Sequence, residues 1–482
     1  MIMKFLKEIF PEAQSQIQVK NLVFDSRLVK EGSVFFAIKG SNQDGHLHLE
    51  SAVKNKASAL VVSSAERVPK DFKGEVLVVS DTRQAMSAAA RAFFGDPSST
   101  MKLFGVTGTN GKTTCAYMFE AMMTNLGSPT GVMGTIDHHF KSKVWKSSLT
   151  TPDVIGVFER LKDFRDLGSR SVAMEVSSHA LDQRRVEGLE FDVALWTNLT
   201  RDHLDYHGTL EKYFQAKEIL FRDHLKKGGV ALINSDDSLL SKVQVSKNAE
   251  IFRYGRQGDF QFDKVDLSLA GSTFQFSSPF GSDLVEISTP GLHNVANACG
   301  VLAAGLCLGQ PFNKVTESLR SFKGAPGRLE LVHSKPYVFV DYAHTPDALA
   351  SSLSSLHHLK KAGQKIIAVF GFGGDRDRGK RPLMVREALL FADHVVLTSD
   401  NPRHEDPEQI LRDGLPQDLF HLKGTKVDLE VDRRKGIHKA LQRASEGDVI
   451  LIAGKGHEDY QIIGDQRLPF SDHQVVREYF ID

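Results

Sequence analysis

A chain of 482 residues and 53.4 kDa has room for about three domains at roughly 100 to 200 residues each, which excludes a single small module. Its 60 Lys and Arg balance 60 Asp and Glu, so the formal charge is zero and the overall field lacks the positive sign of a general nucleic-acid or anionic-membrane binder. With 41% hydrophobic and 25% charged residues, the composition has enough apolar material for several cores and none of the bias that marks disorder.

From the amino terminus, Met1 to Phe10 interrupts its apolar residues with Lys4, Lys7 and Glu8, so no secretory leader is expected. Short apolar runs follow at Val34 to Ile38, Leu60 to Val62 and Val76 to Val79, then an Ala-rich helical stretch near Ala85 to Phe94. The punctuation Gly95-Asp96-Pro97-Ser98-Ser99 marks a boundary, giving a first domain over 1–99. Lys102 to Val106 reads as a buried strand. After a Gly-rich turn, Ala116, Phe119, Met122, Met123 and Leu126 recur at helical spacing up to Gly127. Val172 to Val176 and Val193 to Trp196 end in polar turns in the same way. Strands alternating with helices predict a mostly parallel, helix-covered sheet whose ligands bind beyond the carboxyl ends of its strands. A second break at Lys323 to Arg328 closes a domain over 100–330. The runs Tyr337 to Val340, Lys365 to Phe370, His394 to Leu397 and Asp448 to Ala453 then predict a third α/β domain over 331–482. The longest weakly polar stretch, Gly300 to Gly309, falls far short of the ~20 apolar residues of a membrane-spanning helix. Cys115, Cys299 and Cys307 lack a CxxC spacing, which fits a reducing cytoplasm.

The strongest chemical signal is Gly105-Val106-Thr107-Gly108-Thr109-Asn110-Gly111-Lys112-Thr113-Thr114 between the second domain's first strand and helix. Backbone N–H groups of such a loop surround phosphate oxygens, Lys112 can reach the β- and γ-phosphates, and a hydroxyl just after the lysine can ligate Mg²⁺. ATP is the ligand this chemistry predicts. The general phosphate-loop pattern requires glycine where Val106 stands, so the spacing is a variant.

That variant spacing resembles the Mur ligase family, which also includes the folylpolyglutamate synthetases. Further matching segments run along almost the whole chain: Asp25-Ser26-Arg27, Phe35 to Gly40, Thr150-Thr151-Pro152, Glu175 to Leu181, Asn198 to Gly208, Ala216-Lys217, Gly291 to Asn297, Asp341 to Asp347, Gly373 to Asp377 and Gly454 to Glu458. The set most resembles members that attach the third residue of the peptidoglycan stem peptide. The resemblance implies an amino-terminal UDP-binding α/β domain, a central P-loop ATPase α/β domain and a carboxy-terminal Rossmann-like α/β domain for the incoming amino acid. It also implies the reaction: ATP phosphorylates the D-glutamate side-chain carboxylate of UDP-N-acetylmuramoyl-L-alanyl-D-glutamate, and an amine then attacks the acyl phosphate.

Two anions meet in the first step, so cations must sit where charge moves. The resemblance assigns this task to Lys112 and Mg²⁺, with Thr113, Glu175 and His203 as metal-site residues; His is the less usual Mg²⁺ partner. Taken alone, Lys217 reads as a solvated helix lysine. In the family the matching lysine is carbamylated by CO₂ (N6-carboxylysine) and helps hold a second Mg²⁺. By resemblance Gly108 to Thr114, Asn294, Asn297, Arg328 and Asp341 bind ATP, and His344 joins Lys112, Lys217 and His203 in catalysis. Asn294 and Asn297 share a helical face, which capping would explain equally well. Ser26, His46, Thr150, Thr151, Ser177, Gln183 and Arg185 are implied contacts of the UDP-muramoyl dipeptide. No GxSxG elbow surrounds Ser177 or Ser178, so their neighbour His179 does not signal a hydrolase.

Asp400-Asn401-Pro402-Arg403 reads alone as a turn. In the family this string marks enzymes that choose meso-diaminopimelate, whose distal carboxylate a guanidinium can bind bidentately; lysine has only an ammonium there. Arg376 and Arg403 would clamp carboxylates, while Asp400, Asn401, Gly454 and Glu458 orient the distal end. The rivals are the L-lysine-adding ligase, a folylpolyglutamate synthetase, a P-loop ATPase or kinase without peptide ligation, and a non-catalytic nucleotide-binding regulator. The expected partners are small molecules only, with no nucleic acid and no membrane insertion, and the expected state is a monomer.

Overall fold

A computed structural model describes residues 2–40 and 43–481. The chain divides into two compact units, Met1–Asp259 with Ala303–Gln310, and Phe260–Leu302 with Pro311–Asp482.

In the first unit, the strands Asn21–Val23, Ser33–Phe36, Ala59–Val62 and Glu75–Val78 pair in that order as a parallel sheet. Ser33–Phe36 and Ala59–Val62 are buried throughout. Their side chains alternate between two cores, with Val34, Phe36 and Val61 in one and Phe35, Leu60 and Val62 in the other. The expected Ala-rich helix begins earlier than its hydrophobic pattern, at Thr82, because Asp81 caps it by accepting the Arg83 and Gln84 amides.

A second sheet in this unit runs in the order Lys143–Lys146, Asp137–Phe140, Thr130–Met133, Ser171–Glu175, Lys102–Thr107, Phe191–Trp196, Leu225–Asn234 and Glu250–Gly255. From Thr130–Met133 onward the strands are parallel, and the two outer strands add an antiparallel hairpin. Lys102–Thr107 lies between Ser171–Glu175 and Phe191–Trp196. The loops leaving these three neighbouring carboxyl ends therefore converge, which is where an open α/β sheet binds its ligand.

The second unit opens with an antiparallel meander, Phe260–Ser268, Gly271–Ser278 and Gly281–Ile287. This departs from the strand-and-helix alternation expected across 100–330. Phe260, Phe262, Phe274, Phe276, Val285 and Ile287 bury one face while intervening polar residues reach solvent, the period-two pattern of a half-covered sheet. A six-stranded sheet follows in the order Glu330–Ser334, Tyr337–Asp341, Val449–Ala453, Ile366–Phe372, His394–Ser399 and Val427–Glu430, parallel except for its first pair. Separate apolar cores cover its two faces, one including Phe339, Phe370 and Leu451, the other Val340, Val369 and Ile452. All four runs expected in the third domain are strands of this sheet.

One ion pair in this unit is sealed from water. Arg433 and Asp472 are both 0% exposed and bond bidentately at 2.8 and 2.7 Å, and a further guanidinium N–H reaches the Ala453 carbonyl at 3.0 Å. Removing one partner leaves an uncompensated buried charge, so Asp472→Ala should destabilise the fold by about 3–5 kcal/mol. Denaturant unfolding that gives a loss below about 1 kcal/mol would contradict this account.

Candidate active site

The glycine loop follows Lys102–Thr107 and ends at Gly111, which caps the helix Lys112–Asn125 with a left-handed φ of 86°. Gly108 has φ 147°, and a Cβ there would stand 1.9 Å from the Thr197 hydroxyl, so neither position accepts a side chain without strain. The neighbouring strand end fixes the loop. Asn198 accepts the Thr109 N–H on its carbonyl at 3.0 Å and the Asn110 N–H on its side-chain oxygen at 2.9 Å, and Thr197 donates to the Asn110 carbonyl at 2.6 Å.

Lys112 folds over this loop and donates to the Gly108 and Thr109 carbonyls at 2.8 and 2.9 Å. Lys217, on the helix Leu210–Asp223, donates to the same Gly108 carbonyl at 2.9 Å and lies 4.6 Å from the centre of the Tyr213 ring. At 1% exposure Lys217 is not the solvated helix lysine its local sequence describes. Burial, reinforced by Lys112 and opposed by Asp202, holds its ammonium well below the usual lysine range.

Glu175 ends its strand fully buried. It accepts hydrogen bonds from the Thr113 hydroxyl at 3.1 Å, the Thr135 N–H at 2.8 Å and the Thr135 hydroxyl at 3.0 Å. Thr150 meets Thr135 at 3.1 Å, and Thr151 donates to the Glu175 carbonyl at 2.8 Å while accepting the Ser177 N–H at 3.1 Å. Ser177 is the cap of the helix Ser178–Asp182 and accepts the Ala180 N–H, which occupies its hydroxyl in helix initiation. Thr113 and Glu175 thus offer adjacent hard oxygens of the kind Mg²⁺ takes. His203 is half exposed at a left-handed φ of 53°, with its ring 4.9 Å from that of His179 and 6.0 Å from that of Tyr213. Burial first, then the neighbouring His203 and His207, holds His179 below the usual histidine range.

Beside these groups in the same unit lies a cavity of about 880 Å³ lined by Ser26, Arg27, His48, Arg83, Gln183 and Arg185, among others. Arg185 reaches the Thr151 carbonyl at 3.0 Å and the Gln183 side-chain oxygen at 2.6 Å, which ties this wall to the threonine pair. His46 is placed differently. Its ring is occupied by Asp44 at 2.7 Å and by the Ser63 N–H at 3.0 Å, and His48 lines the cavity instead.

In the second unit, Asp341 accepts the Leu329 and Ala343 amides, and burial raises its pKa against those bonds. Arg328 stacks 5.0 Å from the Tyr342 ring centre. The Tyr342 carbonyl receives the His344 ring N–H at 2.9 Å. Asn294 and Asn297 lie on the helix Leu292–Cys307 and are buried; Asn294 donates to the Pro290 carbonyl at 2.8 Å.

The Arg403 guanidinium donates to the Gly374 carbonyl at 2.8 Å, and its left-handed backbone, φ 50°, is pinned by the hairpin Tyr460–Ile463 and Gln466–Pro469 through Arg403 N–H to Ile462 O at 3.1 Å. Asn401 donates to Glu458 at 3.2 Å. Arg376 is exposed on the facing loop, and a Cβ built at Gly373 between them would meet Arg403 at 3.1 Å and Arg376 at 3.4 Å. Gly454, at φ 109°, lies beside Asp400. The six acceptor residues expected from the sequence therefore cluster. Sequence reasoning missed Thr135, Asn198, Tyr213 and Lys455. The last is a fully buried ammonium among Asp400, Asn401 and Glu458, and the string Gly454 to Glu458 had already drawn attention to its position.

Family models match three segments: the Mur ligase family catalytic domain over residues 18–94, the Mur ligase middle domain over 106–305, and the Mur ligase glutamate ligase domain over 327–456. The chain belongs to the Mur ligase family, with its three-domain α/β organisation. Among its relatives, it is 43% identical over 464 residues to the UDP-N-acetylmuramoyl-L-alanyl-D-glutamate--2,6-diaminopimelate ligase of Aquifex aeolicus, a match covering 96% of this chain and 93% of that protein. It is 42% identical over 465 residues to the ligase of the same name from Geobacillus thermodenitrificans, covering 95% and 94%. A solved structure of a UDP-N-acetylmuramoyl-L-alanyl-D-glutamate--2,6-diaminopimelate ligase superposes with a TM-score of 0.73 at 36% identity, covering 99% of this chain and 98% of that one.

The loop bearing Thr135 adjoins a charged cluster, since the Gly134 N–H donates to the Asp137 carbonyl at 3.1 Å. His139 bonds Asp137 at 2.6 Å and Glu120 at 3.1 Å, and the Tyr117 hydroxyl donates to Asp137 at 3.3 Å. Burial pulls the His139 pKa down, but the two carboxylates outweigh it and raise it from 6.5 to about 9. A raised folded-state pKa gives stability that is complete below pH 6.5 and fades as pH rises through about 9. His139→Gln should therefore flatten the fall in Tm between pH 6.5 and 9, and an unchanged slope would remove the cluster from the stability of the fold.

Proposed function

We propose that this protein is an ATP-dependent ligase that adds meso-2,6-diaminopimelate to UDP-N-acetylmuramoyl-L-alanyl-D-glutamate in cytoplasmic peptidoglycan precursor synthesis, acting as a monomer. The observation that carries the reading is Arg403, fixed beside Arg376 in a chain about 40% identical to ligases named for that amino acid. In the proposed division of labour, residues 1–99 bind the UDP-muramoyl portion, 100–330 the nucleotide, and 331–482 the acceptor amino acid.

ATP lies on the amides of Gly108 to Thr114, with Asn294, Asn297, Arg328 and Asp341 also assigned to the nucleotide and His344 to catalysis. The dipeptide end of the UDP sugar lies along Thr150, Thr151, Ser177, Gln183 and Arg185, with Ser26 on the cavity wall. His46 is assigned to the same substrate through its hold on the loop beside His48. The D-glutamate side-chain carboxylate attacks the terminal phosphorus of ATP, and the bond to the ADP oxygen breaks to give an acyl phosphate. Lys112 stands on the loop where negative charge accumulates in that step. Thr113, Glu175 and His203 would hold Mg²⁺, which supplies charge neutralisation at the phosphates when bound. The acceptor amine then attacks the acyl carbon, the phosphate leaves with the acyl oxygen, and the amine proton is lost.

Lys217 fits the proposed carbamate. Burial that holds the Lys217 pKa well below the usual lysine range favours the neutral amine, the form that bonds CO₂; a proton is released and the group becomes an anion. That anion would sit beside Lys112 and turn repulsion into attraction. Incubation with ¹³C-bicarbonate should give a carbamate NMR signal that grows with pH and is missing in Lys217→Ala. The same signal in the variant, or none in the parent at any pH, would remove the modification.

Two measurements test the activity. With Mg·ATP and the UDP-muramoyl dipeptide, meso-diaminopimelate should be used in preference to L-lysine; equal use would favour the lysine-adding alternative. Arg403→Ala should lower kcat/KM for the acceptor by about 10²-fold, the loss of roughly 2–3 kcal/mol of charge-assisted bonding, while KM for ATP changes less than about threefold. Comparable losses for both substrates would place Arg403 outside the acceptor site.

A further inference from the structure

Lys455 is 0% exposed, and its ammonium spans three chain segments. It donates to the Tyr460 carbonyl at 2.8 Å and to the Asn401 side-chain oxygen at 3.2 Å, and it lies 3.2 Å from an Asp400 oxygen and 3.7 Å from a Glu458 oxygen. Asn401 is locked in turn, because its oxygen also accepts the Ile462 N–H at 2.9 Å while its amide donates to Glu458. Asp400 and Glu458 remain 13% and 16% exposed, so the buried cation sits behind two carboxylates that still reach the surface. A fold alone does not require this cluster, since apolar side chains of similar volume in place of the ammonium and its carboxylates together would fill such a space without the cost of desolvating charge.

We propose that Lys455 is a specificity-determining positioning residue: by neutralising one of the carboxylates Asp400 and Glu458, it leaves a single net negative charge for the distal end of the acceptor. The inference rests on the proposed acceptor site. A distal end carrying both an ammonium and a carboxylate is neutral and is satisfied by one anion beside Arg403. A distal ammonium alone, as in L-lysine, would be better held by two uncompensated anions. Lys455 therefore disfavours the simple cation without touching either acceptor, a use of charge against the wrong partner.

The test measures kcat/KM for meso-diaminopimelate and for L-lysine in the full-length enzyme with Mg·ATP and the UDP-muramoyl dipeptide. Lys455→Met should lower the diaminopimelate-to-lysine ratio by about tenfold or more, the effect of one desolvated charge contact, with KM for ATP unchanged. Lys455→Met/Asp400→Asn returns the cluster to a single carboxylate, with Glu458 kept for the distal ammonium, and should bring the ratio back to within about threefold of the parent. An equal loss for both acceptors in the single variant, or a double variant that keeps the lowered ratio, overturns the inference. If the single variant does not fold, the double variant decides alone, because a ratio one-tenth of the parent's or less would overturn it. A parent enzyme that does not distinguish the two acceptors sinks the acceptor reading and this inference with it, whereas a parent preference that survives Lys455→Met sinks this inference only.

Discussion

Two ammonium groups, those of Lys112 and Lys217, donate to one carbonyl oxygen, that of Gly108. Sharing that oxygen puts them no more than about 5.7 Å apart, where two full charges in a medium of effective dielectric ~20 repel by at least about 3 kcal/mol. The arrangement is tolerable because Lys217 is driven toward its neutral form by burial and by Lys112, and because the surroundings leave the loop no other shape. Gly108 abuts Thr197, Asn198 holds two loop amides, and Tyr213 contacts both Thr109 and Lys217. The sheet order brings the loop and the Thr197–Asn198 turn together, since Lys102–Thr107 and Phe191–Trp196 are neighbouring strands. A rigid loop that presents its backbone amides together with the Lys112 ammonium is complementary to an anion, and the glycine positions are what keep that shape in place.

The loops bearing Arg376 and Arg403 follow a different rule. There buried cations bond the carboxylates of adjoining loops before any ligand arrives. Lys455 answers Asp400 and Glu458, and the fully buried Arg381 bonds Glu405 at 2.9 Å and Asp413 at 2.6 Å. Glu405 also accepts the Asp375 N–H at 2.6 Å, so one carboxylate ties the loop bearing Arg376 to the loop bearing Arg403. Recognition of a zwitterion asks for fixed spacing between opposite charges rather than an excess of one sign. In the proposed acceptor site buried counterions would supply that spacing, because loops held by desolvated ion pairs are costly to separate.

How much of this the sequence discloses depends on whether a residue's role is written in local pattern or in tertiary placement. The glycine loop is legible because strand, turn and helix adjoin in sequence and because glycine is required where φ is positive. Central strands of the three parallel sheets, such as Ala59–Val62, Lys102–Thr107 and Val449–Ala453, are legible because burial on two faces makes them continuous apolar runs. The antiparallel meander from Phe260 to Ile287 is written in a weaker period-two code, interrupted by a register shift between Asp263 and Asp266, and it escaped the pattern. Buried lysines are hardest to see, because composition and periodicity place them in solvent. Lys217 was reached only through family resemblance, and Lys455, equally buried, lies inside a matched string without its burial being written there. His46 shows the converse, a histidine implied by the resemblance whose ring is spent on Asp44 and Ser63 while its neighbour but one, His48, lines the cavity.

The arginines of the large cavity can be separated by the same accounting. Arg27 is paired with Asp25 at 2.6 Å, and Arg184 is paired with Asp81 at 2.6 Å and with Glu187 at 3.0 Å, so their charges are already met by carboxylates. Arg83 and Arg185 instead hydrogen-bond neutral oxygens, those of Gln183, Lys39 and Thr151. Burial is the largest influence lowering the pKa of both, so each carries its charge partly desolvated. A guanidinium in that condition gains more from an arriving anion than one whose carboxylate partner must first be displaced. A phosphate or carboxylate entering this cavity would therefore be drawn most strongly to Arg83 and Arg185, on the side that connects through Thr151 to Glu175, and less to the more exposed Arg27.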